Sequence, residues 1–282
     1  MFDDAVAASF GVTRAQYLGH GGEAVVFALD DARVLRVLHG GGLVDDLRRR
    51  QDLIDELARS RPPFELPETL EIGERAGRSY AIERRLAGRS LLEELGRADG
   101  AARDRLVEAH LDAAAALGDL LRRDTFGDLL VGDAVVTLSW REYLERRAAA
   151  NLARSLPDFG GVDPRALADA LPDAPAPAFV HLDAFTGNML TDGRRITAVL
   201  DFGPTSITGD CRFNPLGAAV YLASPEITPV ATVRDHDVAT SWLRNAGLHD
   251  SFEPARRWLA AYWTFAFDDP NVLRWCRSVL LN

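Results

Sequence analysis

The sequence predicts an α+β chain in two parts: residues 1–85, a small antiparallel sheet with one helix, and residues 86–282, larger and mostly helical. Three observations predict this. β-rich runs such as "AVVFAL" and "RVLRVL" fill the first part and are joined by short turn signals. Long Ala/Leu-rich stretches with helical spacing take over after "LAGRSL". A single hairpin pattern, "MLTDGRRITAVLD", interrupts the helical part.

In chain order, residues 14–38 read as strands, with "DDA" turning "AVVFAL" into "RVLRVL". Residues 43–59 read as a helix, because Leu43, Leu47, Ile54 and Leu57 keep a spacing of three to four, and "RPPFELP" breaks it. "TLEIGERAGRSYAIERRL" supplies two more strands around an Ala-Gly turn. Residues 101–123 and 140–156 are helical patterns. "PDAPAPAF" (172–179) prevents helix and delivers an extended chain, because each proline pushes the residue before it out of the helical region. The hairpin turns at Asp192-Gly193. From about 214 onward the chain is helical, and Trp258, Tyr262, Trp263 and Phe267 recur at the spacing of a core face.

Composition narrows the function classes. With 282 residues, 47% of them hydrophobic and 26% charged, the chain can bury a sizeable core. A net charge of −10 argues against a nucleic-acid binder, which needs a basic face to neutralise phosphates, and it permits a cationic small molecule. All 32 Lys+Arg residues are arginine, so any task usually given to lysine falls to arginine. Two cysteines without metal-ligand spacing, Cys211 and Cys276, point to a reducing compartment. The acidic "MFDDAVAASF" lacks the basic region of a signal peptide, and the uncharged run "FNPLGAAVYLASP" is too short to span a bilayer. A cytoplasmic protein without membrane or nucleic-acid partners is expected.

The chemistry concentrates in "FVHLDAFTGNML" (179–190). It sets His181, Asp183 and Asn188 in a loop that feeds the hairpin, and the hairpin ends at Asp201-Phe202-Gly203. Two carboxylates and an amide at the mouth of a small ribbon suit phosphoryl transfer: one carboxylate accepts a hydroxyl proton, while hard oxygens hold Mg²⁺ against phosphates.

"HLDAFTGN" followed by "DFG" resembles the catalytic loop and metal motif of the aminoglycoside phosphotransferase/choline kinase-like group, whose loop reads H-x-D-x-x-x-x-N with Gly before Asn. Gly187 fills that place, and Leu182 stands where protein kinases carry Arg. The resemblance covers most of the chain, with its strong motifs between 181 and 210. It implies a bilobal protein-kinase-like fold, ATP (GTP left open) and Mg²⁺ as cofactors, Asp183 as the catalytic base or orienter of the acceptor hydroxyl, Asn188 and Asp201 as metal ligands, and His181 as a structural brace. "TGDCRFNPLGAA" is similar to the group's segment after the metal motif, with Asp210 as a loop-stabilising acid and Asn214 where a second Asp is usual.

The first part is consistent with this. Gly19, Gly21 and Gly22 in "LGHGGEAVVF" form a Gly-rich turn whose backbone can approach phosphates, and Arg36 on the third strand takes the place of the phosphate-holding lysine. The helix 43–59 puts Arg50 and Gln51 at its core-facing middle slots where a Glu is expected, and Asp52, Asp55 and Glu56 lie nearby; which acid meets Arg36 stays open. "YAIERRLAG" resembles the hinge, with backbone groups around Glu83 and Arg85 reading adenine, and Leu190 lies beneath the ring. Glu226, Asp268 and Asp269 are the candidate acids for a cationic acceptor. The expected activity is ATP-dependent phosphorylation of a small-molecule hydroxyl, as an antibiotic-resistance kinase of the aminoglycoside type. The alternatives are a sugar or amino-alcohol kinase and an inactive kinase-like binding protein. Monomer or dimer is left open.

Overall fold

A computed structural model describes residues 4–40, 42–267 and 269–281. The chain divides into two compact units, Met1–Arg59 with Glu65–Ala87, and Ser60–Phe64 with Gly88–Asn282.

In the first unit, α1 (Asp4–Phe10) precedes three strands, β1 (Tyr17–His20), β2 (Ala24–Ala28) and β3 (Arg33–Leu38). Helix α2 (Val44–Ala58) follows, then β4 (Thr69–Arg75) and β5 (Arg78–Arg84). The five strands form an antiparallel sheet in the order β1-β2-β3-β5-β4. Ala76 and Gly77 both have positive φ, 53° and 70°, which gives the tight turn between β4 and β5 the hand that matches strand twist. Side chains alternate across the sheet. Val25, Phe27, Leu35 and Val37 bury against α1 with Tyr80 and Ile82, while Ala24, Leu38 and Ala81 bury with Leu47 of α2. Arg36 and Glu83, two places from Leu38 and Ala81, therefore belong to the α2 side. Helix α2 presents Leu47, Leu53, Ile54 and Leu57 on its buried face, with Arg50 among them.

The second unit begins with β6 (Arg89–Ser90), α3 (Leu91–Leu95) and α4 (Gly100–Leu117), followed by β7 (Phe126–Asp128), β8 (Val136–Thr137), α5 (Trp140–Ala153) and α6 (Pro164–Asp169). Next come β9 (Ala178–His181), β10 (Met189–Thr191), β11 (Ile196–Val199) and β12 (Ser206–Gly209). The chain closes with α7 (Phe213–Leu222), α8 (Val233–Asn245), α9 (Phe252–Tyr262) and α10 (Pro270–Leu280). Two small sheets position the site. One has the order β8-β7-β12-β9, and the other, β11-β10-β6, contains the hairpin. Aromatic rings fill the core beneath them: Trp140 stacks on Tyr143 at 5.4 Å and meets Phe213 edge-on at 5.2 Å. A buried Arg103 ties α4 to α8, donating from Nε and Nη2 to Asp235 at 2.7 Å each and from Nη2 to the Val230 carbonyl at 2.6 Å. Such a fully partnered bidentate pair fixes the relative placement of two helices.

The helical pattern 101–123 ends early, at Leu117. Gly118 closes it against Cys211, where a Cβ would sit 2.5 Å from the cysteine Cβ. Strands β7 and β8 and helices α1 and α6 are additions to the sequence reading; α6 starts because the Asp163 carboxylate caps Arg165 and Ala166 and Pro164 suits the first helical position. Among the described residues, no helix is long and apolar enough to cross a membrane.

Candidate active site

Strand β9 is buried at every position, so the polar residues at its end need partners inside the fold. His181 finds three. Its N–H donates to Asn214 Oδ1 at 2.8 Å, its Nε2 lies 3.0 Å from the Leu200 carbonyl, and its Nδ1 accepts from the Asp183 N–H at 3.2 Å. A carbonyl on one nitrogen and an N–H on the other assign the proton to Nε2. Burial holds the imidazole below its ordinary pKa, so it braces as a neutral ring. Asn214, fully buried, also donates from Nδ2 to the Phe179 carbonyl at 2.9 Å and so clamps β9 at two points. Asp210 is buried too and binds the Arg212 N–H and guanidinium at 3.0 and 2.8 Å.

Beyond His181, Asp183 and Asn188 meet directly. Asn188 Nδ2 donates to the Asp183 carbonyl and to Asp183 Oδ2, each at 3.0 Å. With Nδ2 committed, the amide oxygen is the face of Asn188 that can take a cation. Leu200 closes the set: its N–H donates to the Asn188 carbonyl at 2.8 Å while its own carbonyl receives His181. The next residue is Asp201, half-buried with φ 61°, a left-handed conformation rare for a residue with a side chain. Its charge acts on the His181 ring. Phe202, fully buried, stacks on Phe179 at 6.0 Å and packs on His181 at 5.0 Å, anchoring that turn. Among the described residues, no group of three or more His, Cys, Asp or Glu forms a cation cage. A divalent cation here would take one carboxylate and one amide oxygen from the chain and its other ligands from water or phosphate, which is the pattern Mg²⁺ favours.

Gly187 is required by crowding. A Cβ there would lie 2.2 Å from the Phe185 ring, which packs edge-on against Tyr221. Gly187→Ala should therefore displace Phe185 and destabilise the fold by about 1–3 kcal/mol, read from a denaturant midpoint; an unchanged midpoint would show that the ring relaxes without cost.

Behind the loop, His110 of α4 is fully buried, with Nε2 3.0 Å from the Ala184 carbonyl and, among the described residues, no hydrogen-bond partner at Nδ1. Burial pulls its pKa from 6.5 down to about 4. Between those values the unfolded chain binds a proton that the folded chain refuses. Stability should then fall as pH drops from about 6.5 toward 4, by up to about 3 kcal/mol. His181 adds in the same direction. A His110→Leu variant should lose part of that slope in denaturation series at pH 7, 6, 5 and 4; a slope equal to the parent's would remove His110 as its source.

In the first unit, Gly21 and Gly22 form the exposed β1–β2 turn, closed by Gly21 N–H to the Ala24 carbonyl at 2.9 Å. Neither has positive φ, and among the described residues a Cβ at either meets nothing within 4 Å. Neither packing nor backbone geometry asks for glycine, which leaves room for a ligand's close approach. Arg36 approaches Glu83, Nε to Oε1, at 3.4 Å, and Arg50 Nη1 donates to the same oxygen at 2.7 Å. The three side chains are 14%, 7% and 8% exposed, so the cluster is largely out of water.

The segment read as a hinge thus carries a side-chain role as well. Glu83 lies within β5 opposite Val34, and its side chain is the acid that meets Arg36, with the usual polarity reversed: the helix supplies a cation and the strand the carboxylate. The Arg85 N–H donates to the Ala32 carbonyl at 2.8 Å. Among the acids near α2, Asp55 instead accepts from Gln51 at 2.6 Å. Leu190 sits half-buried in β10 opposite Ala198 and Ser90. Of the acceptor acids, Glu226 is half-buried after α7, and Asp268 lies outside the described residues. Asp269 is the N-cap of α10, where its Oδ1 accepts from Asn271 at 2.8 Å and Val272 at 3.1 Å. Its carboxylate therefore has a helix-capping role through Oδ1. The sequence reading missed His110, Tyr221 and the pairing of Glu83; for Glu83 a signal existed, since in "YAIER" it shares parity with the inward-facing Ala81.

A family model described as the phosphotransferase enzyme family (APH) matches residues 14–208. No curated protein matches the sequence. Solved structures similar to the chain include the streptomycin–ATP–APH(2")-IIa ternary complex, 13% identical over 99% of this chain and 94% of that one with a TM-score of 0.63. The gentamicin–APH(2")-IIa complex is 15% identical, with the same coverage and a TM-score of 0.65. APH(3'')-Id from Streptomyces rimosus ATCC10970, with ADP and streptomycin, is 14% identical over 90% of this chain and 97% of that one with a TM-score of 0.53. At these identities the likeness is one of fold.

Proposed function

Because the chain belongs to the phosphotransferase enzyme family and is a small-molecule kinase with an alcohol group as acceptor, we propose that it moves the γ-phosphate of ATP to a hydroxyl of an aminoglycoside-like antibiotic. The observation that carries the reading is the contact of Asp183 with Asn188, stitched through Leu200 to Asp201. Asp183 takes the proton of the acceptor hydroxyl as its oxygen attacks the γ-phosphorus and the bond to the β-phosphate oxygen breaks. Asn188 and Asp201 would hold Mg²⁺, which would offset charge on the phosphates. Arg36 holds phosphate oxygens through its guanidinium fork, and the Gly21-Gly22 turn offers backbone N–H groups to them. Leu190 packs against the adenine.

The acceptor class rests on the similar structures that carry streptomycin and gentamicin, and on a net charge of −10 that suits a polycation. ADP release, followed with Mg²⁺ across aminoglycosides, peptide antibiotics, macrolides, sugars and amino alcohols, tests it. Turnover is expected with aminoglycosides. Turnover confined to sugars or amino alcohols would make it a metabolite kinase. Magnesium-dependent ATP binding with no ADP release from any acceptor would make it a kinase-like binding protein.

A further inference from the structure

The two carbonyls flanking Asp183 are each held by a side chain from a different helix. His110 of α4 holds Ala184, and the Tyr221 hydroxyl of α7 holds Leu182. Tyr221 has a second partner, Trp263 Nε1, at 3.0 Å. Trp263 opens the short helical turn Trp263–Phe265 that follows α9, and its ring stacks on Phe265 at 5.7 Å.

The direction of this chain of bonds is forced. Indole Nε1 only donates and a carbonyl only accepts, so the Tyr221 oxygen must receive the Trp263 proton and give its own to Leu182. The hydroxyl is buried, and burial together with the nearby Asp183 charge raises its pKa well above the ordinary value. It keeps its proton, and that proton points at a backbone oxygen and not at the Asp183 carboxylate. Tyr221 is therefore not an acid or a proton relay. Its ring is also restrained, edge-on against Phe185 at 6.4 Å, inside the same loop. One residue thus touches the loop on both sides of Asp183, through a hydrogen bond before it and a ring contact after it.

We propose that Trp263 and Tyr221 are positioning residues: a one-way hydrogen-bond chain from the segment after α9 to the Leu182 carbonyl that sets the Asp183 carboxylate for attack. This rests on the reading of Asp183 as the base. A buried hydroxyl bonded on both sides resists rotation, and its removal frees the peptide that carries Asp183. The chain also links the loop to residues 263–267, so a molecule that shifts Trp263 would shift the base.

Tyr221→Phe keeps the ring and its contact with Phe185 and removes one oxygen. It should lower kcat about tenfold, the scale expected when a reacting group is misplaced by a fraction of an ångström, with nucleotide KM within about twofold of the parent. Trp263→Phe should give a smaller loss, and the double variant should be no worse than Tyr221→Phe alone, because both act through one bond to Leu182. Amide exchange of the 178–191 segment should quicken in Tyr221→Phe while that of α8 and α10 stays constant. Parent-like kcat and exchange in Tyr221→Phe, or losses that multiply in the double variant, would overturn the proposal. A parent without turnover on any acceptor, but with faster loop exchange in Tyr221→Phe, would leave the restraint standing and sink the catalytic reading beneath it.

Discussion

Asp183→Ala should lower kcat by about 10²–10⁴-fold, the usual share of a positioned general base, while nucleotide affinity stays near the parent's. The geometry makes this a clean variant. Asn188 Nδ2 keeps its bond to the Asp183 backbone carbonyl when the carboxylate is gone, and His181 keeps its bond from the Asp183 N–H. The loop should hold its shape, so the loss reports proton handling. Nucleotide binding by calorimetry and steady-state turnover, measured side by side, check it. Turnover within about threefold of the parent would remove Asp183 from the chemistry. Loss of both turnover and nucleotide binding would recast it as a structural residue.

Glu83→Gln should cost about 3 kcal/mol of folding stability, which is large for a single isosteric change. Glu83 Oε1 is shared by Arg50 at 2.7 Å and Arg36 at 3.4 Å in a cluster nearly closed to water. Taking the negative charge away leaves two guanidiniums beside a neutral amide, and removing one partner of a buried ion pair typically costs 3–5 kcal/mol. The same change should raise the nucleotide KM, because the group that orients Arg36 would be gone. Saturating ATP should then restore part of the lost stability, since ligand that binds only the folded chain stabilises it by mass action. Denaturant midpoints with and without nucleotide give both numbers. A loss below about 1 kcal/mol would mean the cluster is better solvated than its exposure implies.

These two residues also show what could be read from sequence and what could not. The loop and hairpin that carry Asp183, Asn188 and Asp201 are legible, because turn residues and alternation are local in "HLDAFTGNMLTDGRRITAVLDFG". The small sheet is legible from its alternation, and the turn at Ala76-Gly77 from its residue types. Glu83 is different. Its meeting with Arg50 depends on the β3–β5 register and on which face α2 turns down, and neither is local in sequence. The resemblance of "YAIERRLAG" to a hinge concerns backbone groups, whereas the buried acid in its midst acts through its side chain. Tyr221 and His110 reach the loop across 39 and 74 residues. Each looks like an ordinary core residue until the helices are packed. Asp269 is ambiguous in another way: an acid before Pro-Asn reads as well for a cap as for a ligand, and its Oδ1 caps α10.

The cation of β3 is a guanidinium, and the sequence has no side-chain primary amine at all. Reagents that tag nucleotide-binding enzymes by acylating the strand amine, and inhibitors built on the same warhead, need an unprotonated nitrogen nucleophile. Arginine stays protonated at any workable pH. Amine-directed acylation would leave this position untouched, and covalent chemistry aimed at Arg36 would need a different electrophile, such as a dicarbonyl.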